Sequence, residues 1–374
     1  MNTNKISILF FLLCICYTCV SAQYEKPEGV IRIMTYNVAY CRGYDSYQDG
    51  SKTNPYNTER IGKIIKALDP DIIALQELDS GNINKRFLLQ EIQKASGIDY
   101  EVIYGMSDLA PVGNYGIGIL IKKKYPVLQV RKIKLPGTVY GTNPPVKNND
   151  RLLFRIMTDR FYFMCTHLDL NDDQRVASAA IINNELDYMR KPTFLSGDMN
   201  DSHRWGGGAF AQFFNDKWDR FSTDEFTISN PKNESTIDYI LYYNYKDKNE
   251  YSPVSTHAIR GMLTIPGEPT QIQVEYASDH LPVIVDIKDN TSVGMTEQKR
   301  YPLSIIQKEN RLSVNGLPEG HLSYHIFSNS GSCMDTGNVT INNNSIAIDS
   351  LTKGTYILNI LQNGNAIYNY KFMK

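Results

Sequence analysis

The sequence predicts an α/β domain of packed sheets covered by helices, followed by a small β-sandwich. Two observations predict it. Up to about residue 289, apolar strand-like runs alternate with segments of helical period; beyond it come short alternating runs punctuated by Gly and Asn, with no helical period. At 374 residues, 42% hydrophobic and 21% charged, the chain has material for one large core and one small one.

Residues 1–22 stand apart from the fold. Lys5, the run ILFFLLCICYTCV and then Ser21-Ala22 read as a secretory signal peptide cut after Ala22. Its apolar core is too short for a good membrane span. The mature chain is therefore expected to be soluble, without a stable membrane span, and periplasmic, cell-surface or extracellular. Cys14, Cys16 and Cys19 raise a lipoprotein alternative, against which Leu13, Ile15 and Thr18 stand where a small residue is expected.

Residues 23–289 form the large domain. Strands are expected at 30–39, 71–78, 116–121, 161–168, 193–200, 237–243 and 281–287. Ile61, Ile64, Ile65 and Leu68 recur at helical spacing, FLLQEIQKASG stops on Gly97, and 173–190 reads as a third helix. Residues 290–300 are linker-like, and 301–374 give the β-sandwich.

Charge narrows the function. The net charge is −1 and the large domain is mildly acidic, which argues against a general polyanion binder. The exception, KKKYPVLQVRKIK at 122–134, reads as a solvated hairpin, with a phosphate-facing patch as the alternative. Outside the leader, Cys41, Cys165 and Cys333 make neither a disulfide framework nor a zinc spacing.

The polar exceptions lie where apolar strands end: Asn37, Glu77, His167, Asp198 and Asn200, with Asp238 opening a strand and Asp279-His280 preceding another. Any one of them is most simply a turn or a cap. Together they suit a rim where strand ends converge on a ligand. Carboxylate and amide oxygens suit a hard cation such as Mg²⁺, which recruits phosphate oxygens, and histidines beside carboxylates supply proton transfer.

The motifs MTYN, LQE, THLD, SGDMN, STIDYI and SDHLPV, in this order, resemble the endonuclease/exonuclease/phosphatase (DNase-I-like) superfamily over residues 29–288. The resemblance implies a four-layered α/β sandwich that hydrolyses phosphoesters with Mg²⁺ (or Mn²⁺). It implies Glu77 as principal metal ligand with Asn37 near metal and phosphate, and Asn200 holding the phosphate. Asp198 would orient or deprotonate the attacking water. His280 would be the acid or base, oriented by Asp279. His167 would serve the phosphate or leaving group, supported by Asp238, and Arg151 would face the site. Whether Asp198 or His280 takes the water's proton stays open.

Other features read more plainly. His203 and Trp205 belong either to a substrate loop or to a Gly-rich surface loop; Asp169 and Arg175 orient a loop; His321 and His325 are a surface pair. The tail GTYILNILQNGNAIYNYKFMK resembles the secretion-system C-terminal sorting domain common in Bacteroidetes, which implies export or surface-attachment machinery as a partner. A generic accessory sandwich fits the same residues. The expected function is a secreted metal-dependent phosphoesterase, a phosphodiesterase above all, acting on nucleic acid, a lipid headgroup or a small metabolite. The alternative is a non-catalytic binding or adhesion protein on a degenerate enzyme fold.

Overall fold

The run IRIMTYN becomes a strand buried along its whole length, because both of its faces meet apolar layers. In the computed structural model, residues 24–44, 55–79, 86–106, 115–140, 147–148, 150–292, 303–328, 332–362 and 365–374 are described. The leader 1–22 and most of the linker lie outside them. The chain divides into two units, Met1–Asn290 and Thr291–Lys374.

Twelve strands of the first unit build two sheets. The earlier ones are β1 (Ile31–Asn37), β2 (Ile72–Asp79), β3 (Tyr100–Met106), β4 (Tyr115–Lys122), β5 (Gln129–Leu135) and β6 (Arg151–Met157). The later ones are β7 (Tyr162–His167), β8 (Thr193–Asp198), β9 (Asp219–Arg220), β10 (Asp238–Tyr243), β11 (Tyr251–Ala258) and β12 (Val283–Asp289). One six-stranded sheet runs β11-β12-β1-β2-β4-β3 and the other β9-β10-β8-β7-β6-β5. Each has one parallel pair, β1 with β2 and β7 with β8, and antiparallel neighbours elsewhere.

Parallel neighbours need a crossover, and helices supply both. Helix α1 (Thr58–Leu68) joins β1 to β2; Asn57 caps it by accepting from the Arg60 N–H, and Asp69 closes it in the left-handed region. Helix α2 (Leu88–Ser96) ends on left-handed Gly97, as the sequence predicts. Helix α3 (Asp172–Glu185) joins β7 to β8 behind an Asn171 cap. It stops five residues short of the expected 190, where Leu186–Tyr188 tightens into a 3₁₀ turn.

The layers follow from alternation. Phe163, Cys165, Phe194, Ile240 and Tyr242 of the second sheet share one core with Ile33, Tyr36 and Leu75 of the first and with Ile61, Ile64, Leu88 and Ile92 of α1 and α2. The intervening residues Met164, Leu195, Tyr239 and Leu241 pack on the far side with Ala179 and Ile182 of α3. That makes four layers, helix–sheet–sheet–helix. It also fixes where the rim side chains point: His167, Asp198 and Asp238 continue the face that looks toward the first sheet.

One expectation needs correcting. The basic run 122–134 is not a hairpin, because β4 and β5 belong to different sheets and the run crosses between them. Its lysines meet local carboxylates: Lys122 with Asp69 at 2.6 Å, Lys123 with Asp99 at 2.6 Å and Lys124 with Asp71 at 2.8 Å.

Gly197 lies between two strands too close for a side chain. A Cβ there would stand 2.1 Å from the Thr166 carbonyl oxygen. Gly197→Ala is expected to cost at least about 1–3 kcal/mol, the usual range for overpacking. Urea unfolding measures this, and an unchanged midpoint would refute the steric account.

In the second unit, β13 (Ser304–Lys308), β14 (Arg311–Asn315), β15 (Leu322–Ser328), β16 (Cys333–Val339), β17 (Ser345–Ala347), β18 (Thr355–Gln362) and β19 (Asn365–Met373) form a three-stranded sheet, β13-β14-β17, and a four-stranded one, β16-β15-β18-β19. Their inward residues, among them Leu312, Ile326, Ile346, Leu358 and Phe372, share one core, so this is a β-sandwich.

Candidate active site

Register assembles the site. Across the second sheet, Asp198 stands opposite His167 on one side and Asp238 on the other, so three polar strand ends form one row. From the first sheet, Asn37 ends β1 and reaches over. Its Nδ2 donates to Asp198 Oδ2 at 3.0 Å and to Glu77 Oε1 at 3.1 Å, and lies 3.4 Å from His280 Nε2. Its Oδ1 accepts from the Ala39 N–H. One amide therefore ties both sheets together at the rim.

Glu77 reaches this position through a bulge. The pairing of β2 with β4 slips between Leu75 and Leu78, and Glu77 takes a left-handed φ of 55°. Asn200, just past β8, is also left-handed, at φ 47°. Its N–H donates to Asp198 Oδ1 at 2.9 Å, and its Nδ2 contacts both the Leu168 carbonyl and His167 Nε2, at 3.0 and 3.1 Å.

The two histidines are opposites. The ring of His280 is buried with Nδ1 2.9 Å from Asp238 Oδ2 and Nε2 3.6 Å from Asp198 Oδ2. Burial works against its charge, but Asp238, Asp198 and Asp279 outweigh burial and hold it well above the ordinary histidine range. Burial instead pushes His167 down to about 3; Asp198 opposes this, and the charges of Arg151 and His280 add to it. The surroundings thus favour the protonated form of one ring and the neutral form of the other, the separation that acid–base chemistry requires.

The geometry corrects two expectations drawn from the resemblance. The carboxylate that meets His280 Nδ1 is Asp238, not the adjacent Asp279, so Asp238 serves His280 rather than standing behind His167 alone. Asp279 Oδ1 instead accepts from the Ser278 hydroxyl at 3.3 Å, and its charge acts on Glu77. Burial, then the charge of Asp279, raises the Glu77 carboxyl to about 7.

A carboxyl whose ionisation a neighbouring carboxylate disfavours is relieved by a dication, so Glu77 could hold a hard divalent ion. Asp198, Asp238 and His280 also place one ligand atom each within 4.8 Å of one another. There, however, the carboxylates already hold a cationic ring between them.

Residues 34–280 match the model of the Endonuclease/Exonuclease/phosphatase family. The chain belongs to this family. Its members hydrolyse phosphoesters, and the rim just described falls within the matched span. Among solved structures, the chain is similar to an endonuclease/exonuclease/phosphatase from Beutenbergia cavernae DSM 12333, at 15% identity and TM-score 0.51, covering 92% of this chain and 100% of that one. An endonuclease/exonuclease/phosphatase family protein from Bacteroides thetaiotaomicron is 18% identical with TM-score 0.51, over 71% and 98% of the two chains. The mannosyl-6-phosphatase Bt3783 from Bacteroides thetaiotaomicron VPI-5482 is 17% identical with TM-score 0.50, over 69% and 99%. These likenesses concern the fold. No curated protein matches the chain in sequence.

Among the remaining residues, Arg151 is buried beside the family rim, its Nε 3.2 Å from Asp169 Oδ2. Asp169 and Arg175 hold the loop after β7, by way of Thr138, the Asn171 N–H and the Leu170 carbonyl. His203 bonds the Tyr239 hydroxyl at 2.8 Å, and Trp205 is exposed. Cys41 and Cys165 are buried free thiols and Cys333 is an exposed one. Sequence reasoning missed Thr227 and Ser229. Both are wholly buried against the His280 segment, and single alcohols in a loop give no pattern to read.

Proposed function

We propose that the protein is an exported, divalent-metal-dependent phosphodiesterase that hydrolyses its substrate by direct in-line attack of water. The observation that carries this is His280 clamped between Asp238 and Asp198, with Asn37 bonding both Asp198 and Glu77. A Mg²⁺ or Mn²⁺ ion at Glu77, with Asn37 alongside, would neutralise phosphate charge and polarise the ester.

The chain's own residues do the rest. Asn37 and Asn200 would turn an amide proton to the phosphoryl oxygens in exchange for the bonds they make to Glu77 and to the Leu168 carbonyl, neutral His167 adds a ring nitrogen beside them, and Arg151 lends positive charge. His280, held as the imidazolium, stabilises charge that builds on the phosphoryl group. Asp198, acceptor for Asn37 and for the Asn200 N–H, is the group left to take the proton from water.

Export rests on the leader at 1–22, and among the described residues no helix is long and apolar enough to cross a membrane. We assign the C-terminal sandwich to attachment or export machinery on its closing strands β18 and β19. Pairing of Lys122, Lys123, Lys124 and Lys134 with carboxylates weakens the case for nucleic acid. A panel of bis-nitrophenyl phosphate, plasmid DNA, RNA, sphingomyelin and mannose 6-phosphate tests the reading. It predicts that a diester is cleaved faster than the monoester; preference for the monoester would refute the diesterase assignment.

A further inference from the structure

Thr227-Ile228-Ser229 lies in none of the motifs, yet it straps the His280 segment along its length. Ile228 pairs with His280 as an isolated antiparallel bridge. The Ser229 N–H donates to the Asp279 carbonyl at 2.8 Å, and the Leu281 N–H donates to the Thr227 carbonyl at 2.7 Å. The Ser229 hydroxyl lies 2.6 Å from the Ser278 carbonyl and 3.0 Å from that of His280. The strap is itself braced, because Arg260 Nη2 donates to the carbonyls on either side of Thr227, those of Phe226 at 2.7 Å and Ile228 at 3.2 Å.

Thr227 closes the circuit. Its Oγ1 donates to Asp238 Oδ2 at 2.6 Å, the same oxygen that faces His280 Nδ1. It also accepts from the Ile237 and Asp238 N–H groups at 3.1 and 3.3 Å. Those two acceptor bonds commit the hydroxyl proton to Asp238, so the direction of the bond is fixed. One residue thus holds the carboxylate through its side chain and the histidine segment through its backbone. Asp238 Oδ1, by contrast, is buried without a hydrogen-bond partner among the described residues, which leaves Oδ2 as the only anchored oxygen.

We propose that Thr227 is a positioning residue for the reaction: it fixes the Asp238 carboxylate so that His280 is held in one orientation, with Nδ1–H toward Asp238. The inference rests on the phosphoesterase reading for its effect on rate, but not for its effect on the ring. A purely structural threonine would alter stability without acting through Asp238.

The test compares Thr227→Val, which keeps the shape and removes the hydroxyl, with Thr227→Ser, which keeps the hydroxyl. With Mg²⁺ and bis-nitrophenyl phosphate, Thr227→Val should lower kcat about 10- to 100-fold with KM little changed, and Thr227→Ser should restore most of it. In an Asp238→Ala background, Thr227→Val should cost almost nothing further. An undiminished additional loss there, or equal defects in Val and Ser, would overturn the proposal.

The second readout needs no turnover. In protein labelled with ¹⁵N-histidine, His280 Nδ1–H should give a strongly deshielded proton signal, identified by its loss in His280→Ala. The signal should persist in Thr227→Ser and shift or broaden in Thr227→Val. An unchanged signal in Thr227→Val would sink the positioning role whatever the assay shows, whereas wild-type protein without turnover would count only against the phosphoesterase reading.

Discussion

Replacing His280 by alanine is expected to lower kcat by about 10²–10⁴-fold, the usual cost of losing a group that handles charge or protons in the transition state. The ring joins the two carboxylates of the rim, 2.9 Å from Asp238 and 3.6 Å from Asp198. Removing it also leaves those carboxylates buried without their cation, so a loss of folding stability accompanies the loss of rate. His280→Gln separates the two effects. It keeps a donor toward Asp238 but carries no charge, so activity should fall as far while stability recovers in part. Steady-state kinetics with parallel urea unfolding decides, and a His280→Gln enzyme within threefold of wild type would refute the role.

The second large effect concerns Glu77. Its carboxyl titrates near 7 when folded against an ordinary value of 4.5. A folded pKa above the unfolded one means that the native state holds the proton more tightly across that window. Without metal, stability should therefore be greatest below about pH 4.5 in this contribution and fall as pH rises toward 7. Glu77 keeps partial contact with solvent, which brings the expected loss to about 2 kcal/mol. Glu77→Gln should remove this slope, and Mg²⁺ should restore stability to the wild type at pH 8 but not to the variant. The variant's affinity for Mn²⁺ should fall by at least about 10–100-fold, the range for losing even an outer partner of a metal ligand. Urea titrations at pH 5 and 8 in EDTA, with calorimetric Mn²⁺ titration, measure both. Identical slopes in wild type and variant would contradict the assignment.

What could be read from the chain depended on how local the signal was. The strands carrying Asn37, His167 and Asp198 announce themselves by apolar runs that stop on a polar residue, and the two crossover helices by their spacing or caps. Pairings across the chain were harder. Asp238 and His280 are 42 residues apart, and the adjacent Asp279 offered a nearer partner in sequence than the one the ring takes. The bulge that brings Glu77 to the rim leaves no mark in IIALQELD, since it arises from the pairing with β4. The passage of 122–134 from one sheet to the other was hidden for the same reason. Its alternation shows a strand, but not which sheet takes it. Thr227 and Ser229 act through bonds to backbone and to one carboxylate oxygen, and a lone alcohol carries no period.

The most direct test of the central claim is hydrolysis of bis-nitrophenyl phosphate by the purified protein, measured with Mg²⁺ and again with EDTA. Turnover that requires the ion and disappears in His280→Ala is the predicted result. Well-folded protein with no turnover in Mg²⁺ or Mn²⁺, or turnover that EDTA leaves untouched, would contradict it.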